Sequence, residues 1–184
     1  MKRAILPSLL SLSFSLAALP AAAQQGHHHA GPPPAGHAAQ PYAGQQARSI
    51  KALSEDEVKQ YLAGGGLGFA RPAELNRHPG PLHALELADR LELTDTQRAA
   101  IRKLMDEHKA EARAIGAKLV EAEREIEHLF RAGDVSPQAL AGAVAAATEL
   151  RGAYRLSHLE THRRLRPLLT EEQVARYDAL RGYQ

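Results

Sequence analysis

The 184-residue chain has no cysteine and no tryptophan, and only 4% of its residues are aromatic. Without cysteine there is no disulfide framework, no thiol for a lipid anchor, no thiolate metal ligand and no sulfur nucleophile. Methionine occurs twice, at Met1 and Met105, so a methionine-based copper(I) site has no support. After the N-terminal segment no stretch offers the roughly 20 apolar residues that a bilayer-spanning helix needs. The glycine run Gly64-Gly65-Gly66 is not followed by Lys-Ser/Thr and no strand precedes it, which excludes a nucleotide loop. No Ser-His-acid set has a strand-to-helix context, and carboxylate pairs such as Glu123/Glu127 are helical neighbours of Arg124 and Arg131. The expectation is therefore a protein that is not an enzyme.

What is present falls into segments. Lys2 and Arg3, the apolar run from Ala4 to Leu19 and the small residues Pro20-Ala21-Ala22-Ala23 read as a signal peptide over residues 1–23, cleaved near Ala23, with export to the periplasm. Loss of Lys2 and Arg3 would leave 21 basic against 21 acidic residues. The basic sequence pI thus does not describe the exported chain, and nucleic acid is not an expected partner. Residues 24–48 are rich in Gly, Pro, His, Ala and Gln, a composition that predicts a disordered arm. Its His27, His28, His29 and His37 form either a loose chelator or a plain compositional bias.

The rest reads as helix. Ser54-Glu55-Asp56-Glu57 has the form of a capping box and starts a short helix through about Leu62, within a 49–80 segment of short helix and Gly/Pro-rich connector. Leu82 to Glu92 reads as a first packed helix of an 81–184 domain. A second helix begins after Leu93 and carries Ile101, Leu104, Ala112, Ile115, Leu119, Ile126, Leu129 and Phe130 at three-and-four spacing, over roughly 55 Å. Gly133-Asp134 ends it, and Ser136-Pro137 starts a third helix that runs toward Arg166 with Leu140, Val144, Ala147, Leu150, Tyr154 and Leu165 on one stripe. A last short helix carries Val174, Tyr177 and Leu180. The fold class is all-α: an elongated antiparallel helical hairpin with shorter flanking helices. A single helix pair leaves part of each apolar stripe uncovered, so a homodimer is expected, or a surface for unfolded clients.

Two copies of one pattern bracket the hairpin: Leu93-Thr94-Asp95-Thr96-Gln97 and Leu169-Thr170-Glu171-Glu172-Gln173. Each is a capping box in which the Thr hydroxyl takes the third helical N–H while the Gln side chain reaches back to the Thr amide. Together with Arg176-Tyr177-Asp178-Ala179-Leu180 they resemble the LTxxQ signature of exported stress proteins, over about residues 80–183. That superfamily includes Spy- and CpxP-type proteins, zinc-resistance-associated proteins and periplasmic heavy-metal sensors. The resemblance implies export, a helical dimer, and a part in envelope stress or metal response. For the metal-sensing branch it also implies a ligand near His83 on the first packed helix, one near Met105 or Asp106, and one at His162. The methionine that follows the late histidine in those sensors is missing here.

The histidines give an independent reading. Wound at 100° per residue, the third helix places His158 and His162 inside its apolar stripe, and the second places His108 inside and His128 outside. With the turn near Asp134, His108 lies across from about position 160, between the other two. One histidine facing an i, i+4 pair can hold zinc, nickel, cobalt or copper through imidazole nitrogens, with Glu111, Glu107, His83 or water as a fourth ligand. Packing histidines bonded to carboxylates or carbonyls would show the same pattern. Three functions stay open: a metal-binding stress or resistance protein working with a membrane-bound regulator, an ATP-independent chaperone for unfolded envelope proteins, and a structural helical dimer.

Overall fold

A computed structural model describes residues 40–133 and 135–183. The expected signal peptide, the arm up to residue 39 and its four histidines lie outside the described residues. Among the described residues six α-helices follow one another: α1 (Glu55–Ala63), α2 (Arg71–Glu74), α3 (Pro81–Glu86), α4 (Asp95–Ala132), α5 (Pro137–Leu165) and α6 (Glu171–Arg181), with a 3₁₀ turn at Arg166–Leu168 between the last two. No strand occurs among the described residues. Residues 41–48, read as part of the arm, form turns that lead to the buried Ile50.

Hydroxyls begin four of these helices. Ser54, Thr94, Ser136 and Thr170 each accept the N–H three residues on, all at 3.2 Å. At α1, α4 and α6 the Glu57, Gln97 and Gln173 side chains return the bond to the cap amide, which completes three capping boxes. Gly64, Gly133 and Gly182 end the same three helices at positive φ.

Helices α4 and α5 pack side by side. Gln97 bonds the Leu168 carbonyl at 2.9 Å, Glu107 pairs with Arg164 at 2.9 Å, and His108 meets His158 at 3.1 Å. One apolar cluster lies where α4 begins and joins Leu91, Leu93, Ile101, Leu104, Leu165, Leu169, Val174 and Tyr177. The two LTxxQ boxes meet there. Gln97 Nε2 donates to Gln173 Oε1 at 2.9 Å, and Gln173 Nε2 donates to Gln97 Oε1 at 3.0 Å.

A second cluster lies further along the pair. Ile50, Leu53 and Tyr61 are buried against Ala112, Leu119, Val120 and Tyr154, with Leu67 and Phe69 beside them. Residues 50–69 therefore cover apolar stripe that the sequence left to a partner. The packing is close: a Cβ on Gly116 would lie 2.1 Å from the Tyr61 carbonyl oxygen and 3.1 Å from the Tyr154 ring. Lys51 anchors the covering segment on Glu127, its ammonium at 2.7 Å, and Tyr154 Oη donates to the Gly65 carbonyl at 2.7 Å. Pro41 onward makes one compact unit.

The extent of one helix needs correction. The first packed helix does not reach Glu92; it ends at Glu86. Leu91 and Leu93 are two residues apart and both buried in one cluster, which a continuous helix does not allow, so the chain turns with Glu92 at φ 52°. Part of each apolar stripe does stay uncovered, at the far end of α4 and α5, where Phe130 is 61% and Val144 45% exposed. The short α2 was not foreseen; with Pro72 in a four-residue helix it carries no periodic signal.

Gly116 provides a test of this packing. Glycine inside a helix usually costs about 0.5–1 kcal/mol relative to alanine. Gly142→Ala and Gly152→Ala, where a Cβ meets nothing within 4 Å, are expected to raise stability by about that amount in urea unfolding. Gly116→Ala is expected to lower it by about 1–3 kcal/mol, because the added methyl meets backbone.

Candidate functional site

Where α2, α3, α4 and α5 approach, a cavity of about 590 Å³ opens, lined by Glu74, His83, Met105, His108, His158 and His162 among others. His108, His158 and His162 are buried, whereas His128 is exposed. The four histidines proposed as ligands all line this one cavity, but their rings do not converge equally.

His108 Nε2 and His158 Nδ1 are 3.1 Å apart with their rings at 77°. The outer nitrogens, His108 Nδ1 and His158 Nε2, are buried and have no partner among the described residues. Whichever ring donates the shared proton, one outer nitrogen carries an N–H without an acceptor and the other a lone pair without a donor. An unsatisfied buried polar group costs about 1–3 kcal/mol, so packing alone is a poor account of this pair. Burial, reinforced by the charges of His108 and His162, pushes the His158 pKa down to about 4, and burial with His162 lowers that of His108. Both rings are thus neutral at physiological pH, the form that binds metal. Tyr154 packs its ring 4.8 Å from that of His158. Burial raises the Tyr154 pKa to about 12, so its hydroxyl stays a donor to Gly65.

His162 points elsewhere. Its Nδ1 lies 2.8 Å from the His78 carbonyl oxygen. A carbonyl only accepts, so Nδ1 bears the proton and Nε2 of the neutral ring bears the lone pair. This backbone-anchored tautomer is the usual support of a metal-binding histidine. His83 Nδ1 donates to Glu86 at 2.8 Å. Among the described residues no three His, Asp or Glu side chains stand ready as a group to hold a metal ion.

The proposed carboxylates belong elsewhere. Glu107 pairs with Arg164 at a different cavity, and Glu111 is exposed. The acidic residue that does reach the histidines is Glu74 of α2, whose Oε2 is 3.6 Å from His162 Nδ1. Sequence reasoning missed it, because it lies 88 positions from His162 and carries no helical pattern. Gly80, after Pro79, was the available signal. Its φ of −90° and ψ of 144° suit any residue, so the glycine answers a need for space rather than a turn.

The paired boxes decide the relationship. The profile described as LTXXQ motif family protein matches residues 82–181, more than half of the chain. This chain belongs to the LTXXQ motif family. No curated protein and no solved structure matches it. Within this LTXXQ protein the matched region carries His83, His108, His158 and His162, whereas Glu74, His78 and Gly80 precede it.

The neutral histidines make acid stability measurable. A folded pKa near 4 against the ordinary 6.5 means that the unfolded chain binds the extra proton first. Stability is full above pH 6.5 and falls as pH drops toward 4, by up to about 1.4 kcal/mol per pH unit for such a group. Thermal unfolding of metal-free protein is expected to show this loss, and His158→Phe is expected to flatten it.

Proposed function

We propose that this LTXXQ protein is a periplasmic metal-binding protein of envelope stress or heavy-metal response, and not an enzyme. Zinc, nickel, cobalt or copper enters the cavity and is held by His108, His158 and His162, with His83 as a further imidazole. The observation that carries this reading is the His108–His158 pair: two neutral, mutually bonded rings whose outer nitrogens are buried without partners among the described residues. A metal bound at an outer nitrogen would take up the lone pair that the protein alone leaves without a donor. The ligands sit on α3, α4 and α5, so binding fixes the relative set of three helices. That change can be passed to a second copy in a homodimer or to a membrane-bound regulator.

One observation favours a second reading. From Pro137 to Thr148 helix α5 carries no charged side chain, most of this run is exposed, and Phe130 at the end of α4 is exposed too. An uncharged apolar end suits transient contact with unfolded clients of the kind a Spy/CpxP-type chaperone shields. Suppression of client aggregation by metal-free protein, unaffected by chelator and lost in Phe130→Glu/Val144→Glu, is the result that supports it.

Calorimetric titration of the chain with His27, His28, His29 and His37 changed to alanine separates the cavity from the arm. Saturable binding of at least one of the four metals is expected, weakened tenfold or more by His108→Ala/His158→Ala/His162→Ala. Equal binding by that triple variant contradicts the reading.

A further inference from the structure

We infer that Glu74 supplies an anionic metal ligand beside His162, where both side chains closely approach Gly80. The inference rests on the metal-binding reading above and adds to it a residue outside the LTXXQ-matched region, together with a metal class.

Glu74 is half-buried, with its side chain 13% exposed, and its two oxygens have different surroundings. Oε1 accepts from Tyr177 Oη at 2.5 Å and from Tyr183 Oη at 3.2 Å, with Arg181 Nε at 3.8 Å. Three side chains from α6 and the residues after it thus hold that oxygen in place. Oε2 accepts no hydrogen bond among the described residues. Its near neighbour is His162 Nδ1, whose proton already goes to the His78 carbonyl. A carboxylate oxygen fixed through its twin, facing the cavity without a hydrogen bond of its own, can serve as half of a cation site.

The other half faces the same point. A Cβ built on Gly80 would lie 3.2 Å from His162 Nε2, 3.3 Å from Glu74 Oε2 and 2.9 Å from His162 Cε1. The imidazole lone pair and the free carboxylate oxygen therefore both border the space where any other residue would put its side chain. Since the Gly80 backbone is in an ordinary extended conformation, the missing side chain is what this position contributes. Gly80 N–H donates to Tyr177 Oη at 3.3 Å, so the phenol that fixes Glu74 also fixes the glycine.

The donor set names the ligand. One carboxylate oxygen with imidazole nitrogens suits a borderline divalent ion, such as zinc, cobalt or nickel, over copper(I). Bringing such an ion to Oε2 compensates a carboxylate whose nearest positive charge is Arg181. It also ties the cavity, through Tyr177 and Tyr183, to α6 and the residues after it.

The test uses the full chain with the four arm histidines changed to alanine, titrated with zinc by calorimetry and with cobalt followed in the visible spectrum. Glu74→Gln keeps the shape and an acceptor for Tyr177 but loses the charge. It is expected to weaken zinc binding tenfold or more and to alter the cobalt bands that report the ligand set. Gly80→Ala leaves the carboxylate intact and is expected to weaken binding as well, because the added methyl displaces the imidazole and the carboxylate; it reads the same two donors should Glu74→Gln fail to fold. Zinc affinity within twofold of the parent and unchanged cobalt bands, in Glu74→Gln or, if that does not fold, in Gly80→Ala, overturn the role of Glu74. If the triple-histidine variant loses binding at the same time, the site itself stands. Absence of binding by the parent chain overturns both.

Discussion

Two side-chain amides, Gln97 and Gln173, face each other where α4 and α6 begin, and each uses all of its hydrogen-bonding capacity there. Gln97 Oε1 accepts from the Thr94 amide at 2.9 Å and from Gln173, while its Nε2 donates to Gln173 and to the Leu168 carbonyl. Gln173 mirrors it, accepting from the Thr170 amide at 3.0 Å and from Gln97, and donating back to Gln97 and to the Leu91 carbonyl at 3.3 Å. The leading Leu93 and Leu169 are buried in the same cluster. The motif that names the family thus has a physical content beyond helix capping. Each box caps its own helix and clasps the other, and the clasp is half-buried, where an unmatched amide would be costly.

What the clasp fixes reaches the cavity in few steps. With the start of α6 held against the start of α4, Tyr177 is buried, its hydroxyl bonding Glu74 and taking the Gly80 N–H. Burial, with the bond to Glu74, raises the Tyr177 pKa and keeps that hydroxyl a donor. Glu74 then stands beside His162, and His162 is anchored in turn by the His78 carbonyl. The covering segment that begins at Ile50 works from the other side: by packing on Gly116 and bonding Tyr154 it holds the ring that lies against His158. The two apolar clusters flank the histidines along α4 and α5, so the polar centre is braced from both directions.

Local signals carried much of this into the sequence. Helix starts at Ser54, Thr94, Ser136 and Thr170 were readable because a cap depends on residues three apart. The inward turn of His108, His158 and His162 was readable because a helical wheel needs no tertiary knowledge. What stayed hidden was non-local. Nothing near Gln97 announces Gln173 as its partner, and nothing in the α2 region announces a carboxylate for His162. Leu91 and Leu93 both went into the core at the expense of the α3 helix, a case of burial overriding propensity. Two glycines were the overlooked clues: Gly116, in the middle of an apolar stripe where helix propensity disfavours it, and Gly80, each marking a place where another group comes close.

The most direct measurement is a double-mutant cycle on the clasp, with Gln97→Ala, Gln173→Ala and the double variant compared in urea unfolding. Each single change leaves its partner's half-buried amide unmatched, whereas the double change removes both. The losses are expected not to add, with a coupling energy of about 1–2 kcal/mol. Additivity within about 0.3 kcal/mol would mean that the two boxes act only as separate helix caps, and would contradict a fold and cavity built on their union.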